Sequence, residues 1–225
     1  MTWVKICGMT NLEDALLAVE AGADAVGFVF YETSPRNISV EAARKIVEKL
    51  PESVEKVGVF VDLDTEQIRN VVHNAGLSGV QLHGSRSIES VLKNWWDAPE
   101  FVGASKLIPM IHGDSLKEGG FLFGESAIRN IFAILLDSNA DGLAGGTGTA
   151  FDWRATCEMI QVLSVTVPVI VAGGLTPTNV STAIELLQPF GVDVASGVEA
   201  RPGKKDPEKV RAFITAVREI DRKTS

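Results

Sequence analysis

Short runs rich in Val, Ile and Phe alternate eight times with stretches of helical character along the 225 residues. This alternation predicts an α/β fold: a single (β/α)8 TIM barrel spanning residues 1–225. Three observations carry the prediction. Strands apolar along most of their length belong to parallel sheets covered on both faces by helices. The length suits one closed barrel, for which about 250 residues is typical. The rival architecture, an open doubly wound sheet, often carries GxGxxG after its first strand, whereas here the first strand runs into Cys7-Gly8-Met9-Thr10.

The predicted strands are 3–7, 24–30, 55–60, 79–83, 101–107, 131–137, 168–172 and 191–196. The predicted helices are 12–21, 40–50, 65–75, 87–96, 114–129, 152–163, 178–187 and 207–220. Gly119, Gly120 and Gly124 interrupt the fifth helix, which reads as partly loop. Helix stops are expected at Gly22 and Gly76, just before strands. Thr10 or Asn11 suits the start of the first helix, Ser39 the second, and Asp64 or Thr65 the third.

The charge balance narrows the partners. With 29 acidic and 21 basic residues the net charge is −8, which argues against broad nucleic-acid binding. A small anion in a local basic pocket stays open. Cys7 and Cys157 give no disulfide framework and no CxxC spacing, as expected of a reducing, cytoplasmic setting. No apolar run approaches a membrane span, and no signal peptide is evident. His73, His83 and His112 form no short ligand cluster, so no metal is expected.

In such barrels chemistry belongs at the C-terminal ends of the strands. Side chains alternate along a strand, so Lys5 and Cys7 share one face and Val4 and Ile6 the other. With the apolar pair against the helices, Lys5 and Cys7 point into the barrel. A buried lysine needs a partner, and Asp193 on the eighth strand, or a bound anion, is the expected one. Lys5 is also expected to favour a Cys7 thiolate. Cys7 read alone is a small core residue; the lysine on the same face puts the functional reading level with that one.

The remaining strand ends follow the same logic. Arg36, beside Pro35, is either a fork for a carboxylate or phosphate or a solvated loop arginine. Gln81 and His83 share an inward face, and His83 is a substrate contact or a hydrogen-bonded mouth residue. Asp137 ends the sixth strand as a general acid or as a cap. Gly146 lies in the glycine-rich segment Gly145-Gly-Thr-Gly148. Gly173 and Gly174 follow the seventh strand, and Ser196 and Gly197 the eighth. Loops after these last two strands commonly hold a phosphate on backbone N–H groups, and glycine lets the backbone come close.

These segments together resemble the phosphoribosylanthranilate isomerase family of tryptophan biosynthesis. The likeness runs through Lys5-Ile-Cys-Gly-Met-Thr10, Ser34-Pro-Arg36, Gln81-Leu-His-Gly84, Leu135-Leu-Asp137, Gly145-Gly-Thr-Gly148, Phe151-Asp-Trp153, Ala172-Gly-Gly-Leu175, Val192-Asp-Val-Ala-Ser-Gly-Val-Glu199 and Pro202-Gly-Lys-Lys-Asp206. It covers the whole chain in order. Ala195 departs from a common serine. The resemblance implies an Amadori rearrangement of a phosphoribosylated small molecule, with Asp137 as general acid and Cys7 as general base. It further implies Arg36 at the anthranilate carboxylate, and Ser196 with the glycine loops at the phosphate. The rearrangement is an internal redox reaction, so neither a cofactor nor a metal is required. A monomer and a homodimer both remain open.

Two alternatives stand beside this one. The related histidine-pathway isomerase carries an aspartate where Cys7 stands and needs a second phosphate site early in the barrel. No glycine-rich loop after the third or fourth strand suggests one. A silent ligand-binding barrel would not need Cys7, Arg36 and Asp137 together.

Overall fold

A computed structural model describes residues 1–83, 106–112, 131–137, 157, 160 and 163–224. The first half contains β1 (Trp3–Cys7), α1 (Leu12–Ala21), β2 (Ala25–Phe30), α2 (Val40–Val47), β3 (Glu55–Phe60), α3 (Thr65–Ala75) and β4 (Gly79–Leu82). Then come β5 (Lys106–His112), β6 (Ile134–Asp137), β7 (Val169–Ala172), α4 (Val180–Leu187) and β8 (Gly191–Val194). A short 3-10 turn (Ser196–Val198), the ribbon strands β9 (Glu199–Arg201) and β10 (Lys204–Lys205), and α5 (Pro207–Thr224) complete it. Strands β1 to β8 form a closed barrel in chain order. Closure is parallel pairing of β8 with β1, which sets Lys5 beside Asp193.

The local chemistry of the ends accounts for the helices. Asn11, Ser39 and Asp64 each accept a backbone N–H at the start of α1, α2 and α3, and Asp64 forms a reciprocal capping box with Gln67. Gly22 and Gly76 end α1 and α3 in the left-handed conformation, which costs glycine no Cβ clash.

One strand differs from its expected range. The fifth was expected over 101–107, but β5 runs on to His112. Leu107 to Ile111 are all buried, and Pro109 lies within the ladder opposite Leu82. Proline is usually confined to sheet edges or bulges; here burial of the apolar run outweighs the missing donor. The extension brings His112 level with Asp137. Smaller differences fall at ends: α2 stops at Val47, β6 begins at Ile134, and α5 runs past residue 220. The helices expected over 87–96 and 114–129 lie outside the described residues. In the expected 152–163 helix, Cys157, Ile160 and Leu163 are helical.

Strand alternation divides the core into layers. Val4, Ile6, Val26 and Phe28 join the outer cluster packed with the helices. Inside the barrel, Ala25, Val57, Ile108, Met110, Leu135 and Ile170 form a lower layer, closed by Trp3 and Phe132. Cys7, Val29 and Val59 form a separate upper layer with Ala195. On β1 the inward residues are therefore Trp3, Lys5 and Cys7, from bottom to mouth. Among the described residues no helix is long and apolar enough to cross a membrane.

Candidate active site

The site begins with a lysine that has no solvent at all. Lys5 is fully buried. Its ammonium donates to Gln81 Oε1 at 2.8 Å and meets Asp193 Oδ2 at 3.0 Å. The expected partnership with Asp193 is thus present, and Gln81 is an added member. Burial pulls the Lys5 ammonium down, but Asp193 and Cys7 outweigh it, and its pKa rises above the ordinary lysine value.

Cys7 feels Lys5 as expected, but burial opposes it. Lys5 does pull it towards the thiolate, but burial pushes the thiol up more strongly and Asp193 adds to that push. The thiol ends above its ordinary range. Lys5 and, to a lesser degree, Lys205 pull both acids towards their ionised forms, and burial outweighs that pull at each. Burial also pushes Asp193 up, against the pull of Lys5. Asp193 Oδ1 is buried with no hydrogen-bond partner among the described residues. Gly27 on β2 makes this crowding possible: a Cβ there would stand 2.7 Å from Cys7 Sγ and 3.1 Å from Lys5 Cε.

Asp137 ends β6, level with His112 on β5 and Ala172 on β7. Leu135, two residues earlier, belongs to the inner layer, so Asp137 is on the inward face at the mouth, half-buried. Its charge is felt by Asp193. From β6 to β1 the wall passes through β7 and β8, which sets Asp137 and Cys7 on different sides of the mouth. His83 follows β4, half-buried, its backbone N–H donating to the Phe60 carbonyl at 2.8 Å.

Arg36 lies in the loop after β2. Its guanidinium is taken by Glu199: Nε donates to Oε1 at 2.8 Å and Nη2 to Oε2 at 2.7 Å. Glu199 also accepts from the fully buried Lys205, whose Nζ is 3.1 Å from Oε1 and 3.1 Å from Ala195 O. Burial pushes the Glu199 carboxyl up, but Arg36 and Lys205 overcome it and hold it low. Burial depresses the Lys205 ammonium despite Glu199. Sequence reading missed both residues in the site. The signal lay in the motif Val198-Glu199 and in Pro202-Gly-Lys-Lys-Asp206, which folds back as the β9–β10 ribbon.

The two glycine loops come together. Gly173 and Gly174 have φ of +87° and +61°, backbone that L side chains rarely adopt. A Cβ on Gly197 would fall 1.8 Å from Leu175 O, so the loop after β8 packs directly on the loop after β7. Asn179 ties the latter, donating to Gly174 O and accepting from Thr176 N. Ser196 is exposed beside them. Gly146, the remaining residue expected at the phosphate, lies outside the described residues. Among the described residues no His/Cys/Asp/Glu group could hold a metal ion.

Comparison with known proteins bears on the family and the fold. A family model described as N-(5'phosphoribosyl)anthranilate (PRA) isomerase matches residues 4–216. The N-(5'-phosphoribosyl)anthranilate isomerase of Rubrobacter xylanophilus is 44% identical over 218 residues, 97% of this chain and 100% of the relative. That of Pseudomonas fluorescens is 42% identical over 214 residues, 95% of this chain and 97% of the relative. The crystal structure of phosphoribosyl anthranilate isomerase from Thermotoga maritima superposes with TM-score 0.81 at 40% identity, covering 97% of this chain and 100% of that one. A further structure of such an isomerase, in complex with reduced 1-(o-carboxyphenylamino)-1-deoxyribulose 5-phosphate, gives TM-score 0.78 at 40% identity, with the same coverage.

Proposed function

Because the chain belongs to the N-(5'-phosphoribosyl)anthranilate isomerase family, we propose that it carries out the Amadori rearrangement of N-(5-phosphoribosyl)anthranilate to 1-(2-carboxyphenylamino)-1-deoxyribulose 5-phosphate. The observation that carries this reading is Cys7 and Asp137 at the ends of β1 and β6, inward and on different sides of one mouth.

In this mechanism Asp137 gives its proton to the furanose ring oxygen. The C1–O bond breaks and a Schiff base forms. The Cys7 thiolate then removes the proton from C2, and the electron pair moves into the C1–N system to give an enolamine. Tautomerisation yields the ketone. An acid and a base on different sides of the sugar suit the two proton transfers. A thiol raised by burial makes the thiolate a minority form in the free site, so ligand binding or alkaline pH must favour it. Arg36 takes the anthranilate carboxylate, and Gly173, Gly174, Ser196, Gly197 and Gly146 take the phosphate. Lys5 and Asp193 hold the charge beneath Cys7, and His83 lines the mouth. The reading is of a cytoplasmic enzyme, monomer or homodimer, acting on a small phosphoribosylated substrate.

Purified protein should convert freshly made phosphoribosylanthranilate, followed by loss of its fluorescence. It should leave the histidine-pathway aminoaldose unchanged. Turnover of the latter alone would overturn the assignment.

A further inference from the structure

Arg36 is not an open fork. A guanidinium has two edges that can grip a carboxylate side by side, Nε with Nη2 and Nη1 with Nη2. Glu199 already occupies the first, at 2.8 and 2.7 Å. Nη1 has no hydrogen-bond partner among the described residues, and the Arg36 side chain keeps 17% of its exposure. We propose that Glu199 is a positioning residue for the reaction: by holding the Nε–Nη2 edge of Arg36 it leaves the Nη1 side as the one offered to the substrate's carboxylate. The inference rests on the reading of Arg36 given under the proposed function.

The surroundings fix both partners. The Arg36 stem lies against Gly8, where a Cβ would come 2.6 Å from Arg36 Cδ. The Arg36 backbone N–H donates to Ser34 Oγ at 3.2 Å. Glu199 is nearly as constrained: Lys205 Nζ donates to Oε1 at 3.1 Å, Gly203 N to the same oxygen at 3.3 Å, and Lys209 Nζ to its backbone carbonyl at 2.9 Å. Glu199 is thus held from β10, the ribbon turn and α5, and it transmits that rigidity to a loop 163 residues away in sequence. A pre-organised donor loses less freedom when its ligand binds than a mobile one does. An ion pair that only anchored the ribbon would contribute to stability and leave ligand discrimination untouched.

That difference gives the test. Two ligands are compared by equilibrium binding: the reduced product analogue with its ring carboxylate, and the same phenylamino compound without it. Wild type should prefer the carboxylate ligand. Arg36→Ala should lose the preference. Glu199→Gln, which keeps the shape but not the charge, should lose at least about ten-fold of it while binding the other ligand as wild type does. If Arg36→Ala loses the preference and Glu199→Gln keeps it, the inference fails and the reading of Arg36 survives. If Arg36→Ala keeps it, both fail. Should Glu199→Gln not fold with Lys205 left uncompensated, Glu199→Gln/Lys205→Met is compared with Lys205→Met on the same pair of ligands, with the same outcomes deciding.

Discussion

Lys5 and Asp193 meet at 3.0 Å inside the barrel, on strands that become neighbours only because the sheet closes. The pair lies directly under Cys7, and after burial its two charges act most strongly on the thiol. Lys5 is fully buried and Asp193 nearly so, so neither charge is screened by water and each depends on the other. The same ammonium that pairs with Asp193 Oδ2 also draws on Cys7, and burial, with Asp193 adding to it, wins.

The first consequence concerns pH. A raised thiol gains its thiolate only as pH climbs above the ordinary thiol range. With Cys7 as base and a protonated carboxyl as acid, kcat/KM of the wild type should rise with the thiolate fraction until the acid loses its proton. Asp193→Asn removes the anion that opposes Cys7 and should move that rise to lower pH. A rise displaced to higher pH in the variant contradicts this electrostatic account.

Breaking the pair should be costly. Lys5→Met leaves Asp193 buried without its cation and should destabilise the protein by about 3–5 kcal/mol. Lys5→Met/Asp193→Leu removes both charges and should recover most of the loss. Urea unfolding of these two and of Asp193→Leu alone measures it. A double variant as unstable as the sum of its singles would mean no coupling.

Gly27 should matter to rate more than to folding. Gly27→Ala drives a methyl to 2.7 Å from Cys7 Sγ, and overpacking of this kind costs about 1–3 kcal/mol. Displacing a catalytic group by even about 1 Å can cost about 100-fold in rate. Turnover and thermal unfolding of one preparation separate the two effects. Full activity in a folded Gly27→Ala protein would show that the Cys7 position is not critical.

Acid should weaken the closure between the chain's ends. Asp221 accepts from Thr2 N at 2.9 Å and Thr2 Oγ1 at 2.7 Å. Burial pushes its carboxyl up, but these bonds and Arg218 hold it low. A carboxyl depressed in the folded state stabilises above its unfolded pKa, about 3.9. That contribution is lost as pH falls through the lower folded value. Asp221→Asn should therefore be less stable at neutral pH and lose less on acidification. Equal slopes of urea midpoint against pH would count against it.

The barrel was legible because apolar strands and capped helices follow local rules. Trp3 to Cys7, Leu12 to Ala21 and Thr65 to Ala75 fall where alternation and caps put them. The end of β5 was not, because Pro109 carries a breaker signal that tertiary burial overrides. Alternation also gave Lys5 opposite Asp193, since closure makes the first and eighth strands neighbours. It could not weigh desolvation of Cys7 against the attraction of Lys5, which depends on how completely the mouth is covered. Glu199 and Lys205 escaped notice because they act from a ribbon that folds back to Arg36, and no periodicity encodes that return.

The most direct test is the rate of phosphoribosylanthranilate fluorescence loss with Cys7→Ala and with Asp137→Ala. Both should fold and still bind the reduced product analogue. Each should lose at least about 100-fold in turnover, the lower end for removing a general acid or base. Wild-type turnover in either folded variant would contradict the acid–base pair.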